Sequence, residues 1–369
     1  MGKILISRIS IRKNPELKEI QKAYLKAHRK VRARHPKGKL GKVVRLVSDQ
    51  CIDCVGYQAA EKVVEDMSEA QIWGTLKQAN IKGLSGSDFP THQKLMTVKM
   101  AECQSKYFII NAVACDPGLV HDAWLLKNHK EEIEKGIEIV KRMIHFNEVI
   151  IAQQDKVPNR YPMGEERILI KQLLGVELKK DEIPAEKGYL VINVQTVYAI
   201  YKAFYLNEEQ TNRYITVANI NSGMARVAKV KMGQKIEETI KELSQSKELH
   251  LEKFLSSQEE IYAGMGIMDA EAIKENQTTS AAIGFIGVGK AFEFNNEAKC
   301  KGCGACSRHC PKGVKLHKLL KAIEKGDTSK FEVYRLNECI ECGTCSYYCK
   351  VGKNIMEILM KAKEKCCER

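Results

Sequence analysis

The pattern of apolar and polar positions divides the chain into helical and strand-like segments. Apolar residues recur at helical spacing over residues 14 to 35 and 57 to 79. Three short apolar runs then alternate with helical segments: YFIINAVA from Tyr107, EVIIAQ from Glu148 and GYLVINV from Gly188. Because short apolar runs separated by helices are typical of buried parallel strands, the sequence predicts an α/β domain here.

Two other patterns follow toward the C-terminus. Residues 214 to 243 have the pattern of strands followed by a helix. Beyond them, KLHKLLKAIEKG from Lys315 and NIMEILMKAKEK from Asn354 carry apolar residues at helical spacing. The sequence therefore predicts a small strand-and-helix unit and then a helical domain. The charged segment KNHKEEIEKGIEIVKR from Lys127 is predicted to be an amphipathic helix with a solvated face.

Composition narrows the class of protein. The 369 residues suffice for two or three compact domains, and the hydrophobic fraction of 44% is ordinary for a globular protein. The opening MGKILISRIS has too short an apolar run for a secretory signal, and no later stretch approaches the roughly eighteen apolar residues of a membrane span. We therefore expect a cytoplasmic protein.

The formal net charge of +14 is concentrated at the N-terminus. Residues 1 to 45 hold fifteen Lys and Arg against two Glu, a net charge of +13. This basic arm is either a docking element for an acidic protein, an anionic membrane surface or nucleic acid, or a solvated helix and loop. No nucleic-acid-binding motif accompanies the charge, so no nucleic-acid partner is expected.

Eight of the fourteen cysteines form two runs near the C-terminus. The runs are Cys300, Cys303, Cys306 and Cys310, then Cys339, Cys342, Cys345 and Cys349. Both have the C-x2-C-x2-C-x3-C spacing of proteins with two [4Fe-4S] clusters. Zinc ribbons, the alternative, use paired CxxC units with four ligands. The sequence therefore predicts two [4Fe-4S] clusters.

In such modules the fourth cysteine of each run binds the cluster of the other run. One cluster is therefore assigned to Cys300, Cys303, Cys306 and Cys349, and the second to Cys339, Cys342, Cys345 and Cys310. Gly302, Gly304 and Gly343 permit the tight turns that direct backbone amides at the sulfurs. Cys366 and Cys367 lie in a C-terminal tail, where no ligand role is expected.

Five segments upstream resemble, in order, landmarks of the C subunit of Rnf electron-transport complexes and of the related flavin subunit of respiratory complex I. They are similar to the family's glycine-rich FPT loop, its NGAECEP-like turn, its YPxGGERQLI segment, its NVET helix start and its ubiquitin-like domain. The segments are GLSGSDFPTHQKL from Gly83, YFIINAVACDPGLVHDAWLL from Tyr107, YPMGEERILIKQLLG from Tyr161, NVQT from Asn193 and RYITVANINSGMARVAKVKMGQKIEETIKEL from Arg213. With the cysteine runs, the resemblance extends from about Met67 to Lys363.

The resemblance implies an α/β protein of three domains behind the basic arm at 1–45. These are a Rossmann-like FMN and NADH domain at 46–205, a β-grasp (ubiquitin-like) domain with return strands at 206–297, and an α-helical ferredoxin domain with two [4Fe-4S] clusters at 298–369. In the family, electrons pass from NADH as a hydride to FMN and leave singly through the clusters. This order suits the chemistry, since a flavin accepts two electrons and releases them one at a time.

The resemblance also implies a set of cofactor-binding residues: Gly83, Gly86, Lys94, Asn111, Asp116, Glu165 and Asn193. Two landmarks depart from the family. Where the family loop reads GLGGAG, Asp88 replaces the last glycine, and its carboxylate would repel a dinucleotide pyrophosphate. Where the family turn reads ECEP, Ala114 replaces the first glutamate. Both changes fall where the nicotinamide cofactor would lie, so they bear on NADH rather than on FMN.

Smaller features leave their interpretation open. Cys51 and Cys54 form a CxxC that could bind a metal or act as a redox pair, whereas Cys103 is expected to be a buried or incidental thiol. His121 and Asp122, in the second landmark, either contact a ligand or cap a surface helix. His92, in the FPT loop, is expected to shape its turn.

We expect an electron-transfer subunit that takes electrons from NADH through FMN and passes them through two clusters to a partner reductase. A relay or scaffold subunit with a degenerate nucleotide site is one alternative. A corrinoid reductase, similar to the cobalamin reductase of propanediol utilisation, is another. In each case the partner is another protein, the basic arm is the candidate docking element, and any membrane association is through partner subunits.

Overall fold

The structure is a computed structural model that describes residues 45–367 apart from internal gaps. The gaps are residues 57–58, 63, 65, 86–87, 114–117, 154, 159–160, 180–181, 245–259, 268–269 and 290–293. The basic arm up to residue 44 and the predicted helix at 14 to 35 lie outside the described residues. So do Gly86, Ala114 and Asp116.

The described residues form a mixed α/β fold, as predicted. The strands β1 to β10 are Arg45–Leu46, Ile52–Asp53, Tyr107–Asn111, Glu148–Ala152, Tyr189–Asn193, Asn212–Asn219, Met224–Lys231, Glu260–Gly264, Glu271–Ala272 and Phe285–Gly289. The helices α1 to α12 are Glu69–Gln78, Thr91–Met100, His121–Asn128, Lys130–Met143, Glu166–Leu174, Val194–Tyr201, Ile236–Leu243, Ala305–Arg308, Leu316–Glu324, Lys330–Val333, Thr344–Tyr347 and Ile355–Cys367. Short 3-10 turns span Pro184–Lys187 and Leu336–Glu338, and a π-helical turn spans Lys202–Leu206.

The three predicted apolar runs form one parallel sheet with the order β4-β3-β5. Successive residues of β3 alternate between two cores: Phe108 and Ile110 pack with α4 and α6, whereas Ile109 packs with α5. Because both faces are covered by helices, these strands carry apolar residues at nearly every position rather than at alternate ones.

A mixed sheet follows, with the order β1-β7-β6-β10-β8-β9 and with β2 also paired to β7. The hairpin of β6 and β7 is antiparallel, and β10 lies parallel to β6 and antiparallel to β8. Helix α7 covers one face through Ile236, Ile240 and Leu243. The short strand β1 lies at the start of the domain predicted at 46–205, and β2 lies within that domain, yet both pair with this sheet and not with the parallel one.

The last domain is helical, as its pattern predicts. The apolar faces of α9 and α12 pack in one core with buried Cys306, Cys345 and Cys349. Helix α12 continues through Cys367, so the segment predicted to be a tail is helical to that residue. No helix within the described ranges is long and apolar enough to cross a membrane.

The helix predicted over residues 57 to 79 is shorter than expected. It begins at Glu69 because Ser68 caps it: the Ser68 side chain accepts from the Gln71 backbone, and the Gln71 side chain accepts from the Ser68 backbone. This reciprocal capping box is a helix-start signal that apolar periodicity alone does not reveal.

Helices α4 and α6 approach closely at Gly136. A Cβ built there would lie 2.5 Å from the Val197 carbonyl oxygen and 3.1 Å from its Cγ1. We expect Gly136→Ala to destabilise the fold by on the order of 1–3 kcal/mol through overpacking. Gly74→Ala, in helix α1 with nothing within 4 Å of its Cβ, should instead stabilise by roughly 0.5–1 kcal/mol. Calorimetric unfolding of both variants tests this prediction. Equal changes of the unfolding temperature in the two variants would contradict it.

Candidate functional site

Two of the predicted flavin-site residues, Asn111 and Asn193, lie at the carboxyl ends of β3 and β5. These strands pair in parallel register, which places Asn111 beside Asn193 at the same edge of the sheet. Ligands of open parallel sheets bind in the crevice at this edge. The topology therefore brings two residues 82 positions apart in sequence to one site.

Asn111 fixes the turn that precedes helix α5. Its side-chain amide donates to the Gly164 carbonyl at 2.9 Å, and its carbonyl oxygen accepts from the Val113 backbone at 3.0 Å. The turn begins with a cis peptide between Tyr161 and Pro162. Since Asn111 is buried, these two hydrogen bonds replace the contacts with water that its amide loses.

The glycine-rich loop lies against the start of helix α6. The Gly83 backbone donates to the Phe89 carbonyl at 2.9 Å, which closes the loop. The Leu84 backbone donates to the Thr196 hydroxyl at 3.1 Å. Asp88 has φ of 50° and lies 3.5 Å from the Lys82 ammonium. Lys82 thus partly offsets the carboxylate that the sequence placed where a pyrophosphate would approach.

Lys94 reaches from helix α2 to the same edge. Its ammonium lies 2.9 Å from the Glu166 carboxylate and donates to the Val191 carbonyl at 2.7 Å. The neighbouring predicted residue, Glu165, instead caps helix α5 by accepting from the Ile168 backbone. The two neighbouring acids of this turn thus have different roles: Glu166 pairs with Lys94, and Glu165 orders the start of helix α5.

A buried polar network lies behind Asn193. Its side-chain oxygen caps helix α6 by accepting from the Gln195 backbone, and its amide donates to Asp122 at 2.7 Å. The Gln195 side chain donates to the other oxygen of Asp122 at 3.1 Å. Asp122 and His121 are both buried, so the interpretation of this pair as a surface cap is wrong. Asp122 anchors Asn193 from behind.

His121 is held neutral within this network. Its Nδ1 lies 2.9 Å from the Thr216 hydroxyl, and its side chain is fully buried. Burial lowers the pKa of His121 to about 4, although the nearby Asp122 carboxylate opposes this shift. His121 therefore carries no charge at neutral pH.

Four of the eight cysteines surround one cavity. About 300 Å³ of space, part of it open to solvent, is lined by Cys310, Cys339, Cys342 and Cys345. Burial raises the pKa of Cys342 to about 11, hydrogen bonds with Thr344 oppose this, and the neighbouring Cys339 and Cys310 add to it. Iron binds the thiolate form. Four converging thiols, three of them half-buried and one buried, are a donor set that suits an iron–sulfur cluster.

The other four cysteines of the two runs include both exposed and buried thiols. Burial raises the pKa of Cys306, Ser307 opposes this shift, and the nearby Cys300 and Cys303 add to it. Cys300 and Cys303 are exposed, whereas Cys306 and Cys349 are buried. The first three thiols of this run are thus neighbours, of which two are exposed and Cys306 is buried.

Contacts around the two runs repeat pairwise. The Val314 backbone donates to the Cys310 sulfur at 3.4 Å, as Lys353 does to Cys349 at 3.3 Å. The hydroxyls of Ser307 and Ser346 accept from the backbones of His317 and Met356. His309 and Tyr348, which precede the fourth cysteines, stack with ring centroids 3.8 Å apart. The two runs therefore form equivalent halves with backbone amides directed at sulfur.

The flavin-site turn contacts the cavity of the second run directly. The Tyr161 hydroxyl donates to the Cys342 carbonyl. Nearby, the pKa of Glu177 is lowered chiefly by Lys171, with smaller contributions from Lys312 and Arg335 of the last domain. The edge that carries Asn111 and the cavity that carries Cys342 are thus joined through one turn.

The CxxC segment lies elsewhere. Cys51 packs against the core of the parallel sheet and Cys54 against that of the mixed sheet. Burial raises the pKa of Cys51 to about 12 and that of Cys54 to about 11, which disfavours the reactive thiolate. Among the residues that the structure describes, no third His, Cys, Asp or Glu side chain joins Cys51 and Cys54 in a group that could hold a metal ion.

Comparison with known domains defines the class. The model described as the Nuo51 FMN-binding domain matches residues 76–159 and 153–202, and the one described as a 4Fe-4S dicluster domain matches residues 293–350. These ranges contain the edge and the cysteine runs described above. They confirm FMN and [4Fe-4S] clusters as the predicted cofactors, so the chain is an iron–sulfur electron-transfer protein with an FMN site.

The particular relatives are each named as the C subunit of an ion-translocating oxidoreductase complex, which confirms the predicted resemblance to the Rnf family. The one from Haemophilus influenzae (strain PittEE) is 26% identical over 331 residues, covering 83% of this chain and 49% of the relative. The one from Vibrio cholerae (El Tor Inaba N16961) is 27% identical over 300 residues, covering 75% and 38%. The chain thus spans half or less of the length of these relatives.

A solved structure shares the fold. It is an NAD+-reducing [NiFe]-hydrogenase in the H2-reduced state, with a TM-score of 0.51 and 13% sequence identity, covering 82% of this chain and 67% of that chain. At this identity the likeness concerns the fold alone.

The buried His121 makes stability depend on pH. Its folded pKa of about 4 lies below the ordinary 6.5, so between these values the unfolded chain binds a proton that the folded protein excludes. Stability should fall as pH is lowered through this window, by up to on the order of 3 kcal/mol. Between pH 7 and pH 5, the free energy of unfolding should decrease less for His121→Gln than for wild type. His145→Gln, which changes an exposed histidine, is the control and should behave like wild type. Identical slopes would contradict the role of His121.

Proposed function

We propose that this protein is an electron-transfer subunit that passes electrons from NADH through FMN and two [4Fe-4S] clusters to a partner reductase. The observation that carries the proposal is the hydrogen bond from Tyr161 to the Cys342 carbonyl. It joins the turn held by Asn111 to the cavity lined by the second cysteine run. Electron transfer between a flavin and a cluster requires such proximity.

Three units with distinct roles support this function. The parallel sheet within 46–205 serves as the Rossmann-like flavin domain, and the unit at 206–297, which holds strands β6 to β10 of the mixed sheet, serves as the β-grasp domain. Its central strands β6 and β10 are parallel, and each is flanked by an antiparallel neighbour, an order that supports the β-grasp assignment. The ferredoxin domain occupies 298–369.

The residues at the sheet edge fit FMN. FMN supplies the conversion of a two-electron donor into single electrons. Lys94 brings a cation that can balance a phosphate, and the loop at Gly83 brings backbone groups that can approach a ligand closely. Asn111 and Asn193 border the site, Glu165 orders helix α5, and Gly86 and Asp116 complete the proposed set.

The clusters have an order in this proposal. The cluster of Cys310, Cys339, Cys342 and Cys345 lies next to the flavin turn and receives electrons first. The cluster of Cys300, Cys303, Cys306 and Cys349 includes the exposed thiols and delivers electrons to the partner protein. The basic arm assists docking, and association with a membrane is through partner subunits of a complex while the chain itself is cytoplasmic.

The crossed ligand assignment is tested by matching variants. If Cys349 completes the first cluster, Cys349→Ser should perturb the same electron paramagnetic resonance signal as Cys300→Ser. Cys310→Ser should likewise match Cys342→Ser. The protein should hold about eight irons, and each variant should lose up to about four. If Cys349→Ser instead matches Cys342→Ser, the ligands are not crossed.

Asp88 favours a second candidate, a relay subunit with a degenerate nucleotide site. Asp88 lies in the glycine-rich loop with a positive φ, a backbone conformation that suits glycine.

We expect NADH to bleach the bound FMN of the wild-type protein in anaerobic stopped-flow measurements. Asp88→Gly and Asp88→Asn should both react faster, by up to about fivefold, since each removes a like charge. Bound FMN that no variant reduces with NADH would establish the relay function instead.

A further inference from the structure

The backbone of the glycine-rich loop is held on both sides of Gly83 by side chains. The Leu84 backbone donates to Thr196 at 3.1 Å, and its carbonyl accepts from an Nη of Arg213 at 3.2 Å. Leu84 is buried, so both of its backbone groups depend on these partners rather than on water.

Gln210 holds Lys82, the residue that precedes Gly83. Its side-chain oxygen accepts from the Lys82 backbone at 2.9 Å, and its side-chain nitrogen donates to the Lys82 carbonyl at 3.0 Å. An amide side chain thus makes the two hydrogen bonds that a neighbouring strand would make. Gln210 lies two residues before β6 and Arg213 lies within it. The segment that leads into and forms this strand of the mixed sheet therefore supplies both residues.

Arg213 is fully buried, and its other contacts are carbonyls of the same sheet's domain. The guanidinium donates to the carbonyls of Ala281 at 2.6 Å and Ser280 at 3.3 Å. Burial lowers its pKa to about 10, and Asp122 opposes this, so the group stays charged at neutral pH. A planar guanidinium can serve several carbonyls at once, whereas a lysine ammonium on a flexible stem cannot reproduce this geometry.

We infer that Arg213 and Gln210 are positioning residues that hold the glycine-rich loop in the conformation that binds FMN. The inference rests on the proposed FMN site. A loop that approaches its ligand through backbone groups has few side chains with which to correct its own position. The position of the loop is therefore set by side chains of the neighbouring mixed-sheet domain that contact its backbone. The mixed-sheet domain thereby controls the cofactor affinity of the neighbouring parallel-sheet domain.

The test compares two variants with matched controls on the same domain. Arg213→Lys keeps the charge and loses the planar donors, and Gln210→Leu removes both contacts with Lys82. Arg226→Lys changes another buried arginine, which donates to the Gln50 carbonyl, and Gln234→Leu changes another glutamine, which donates to Glu242. FMN is removed from the full-length, iron-replete proteins, and the dissociation constant for added FMN is measured. Hydrogen exchange of peptides spanning residues 82 to 89 is measured without FMN.

Arg213→Lys and Gln210→Leu should weaken FMN binding by about tenfold to a hundredfold and speed exchange in the loop. The controls should stay within about twofold of wild type, with iron content unchanged. Wild-type protein that binds no FMN would refute the proposed function itself. Wild-type binding with unchanged affinity in both loop variants would overturn only this inference. If Arg213→Lys unfolds the protein, Gln210→Leu decides alone, and wild-type affinity and exchange in that variant would overturn the inference.

Discussion

The in-register pairing of β3 with β5 is the constraint on which the site depends. It sets Asn111 beside Asn193, and each asparagine then organises the chain that follows it. Asn111 draws in the turn at Gly164, while Asn193 starts helix α6. Helix α6 in turn supplies Thr196 to the glycine-rich loop. A one-residue slip would exchange the two faces of a strand and separate these elements.

The turn at Tyr161 extends this arrangement to the last domain. Asn111 holds one end of the turn, and Tyr161 contacts the carbonyl of a cysteine at the other. The flavin edge and the wall of the neighbouring cavity are therefore linked by a few hydrogen bonds. In the proposed function, the turn that borders the FMN would also set the distance from the FMN to the neighbouring cluster.

The spacing of residues near one another in the sequence predicted much of this fold. The remaining features depend on contacts between residues far apart in the sequence, which spacing does not reveal. The cysteine runs and the apolar strands depend on neighbours a few residues apart, so periodicity and spacing were sufficient for both. Ser68 and Gln71 carried a readable helix start that periodicity concealed. Arg213 and Asp122 have polar side chains that usually lie at the surface. Only the packing of one domain on another shows that both are buried, and the ion pair of Lys94 with Glu166 likewise joins residues that are far apart in the sequence.

The two halves of the last domain are nearly equivalent in the contacts that surround their fourth cysteines. Chemically equal halves would give two sites with similar affinity for an electron, and such a module alone has no preferred direction of flow. Asymmetry comes from the surroundings, because one half faces the Tyr161 turn while the other exposes Cys300 and Cys303. Solvent exposure and hydrogen bonding to sulfur tune reduction potential. In the proposed function, the direction of electron flow through the two halves therefore depends on how they pack against the neighbouring domains, not on the halves themselves.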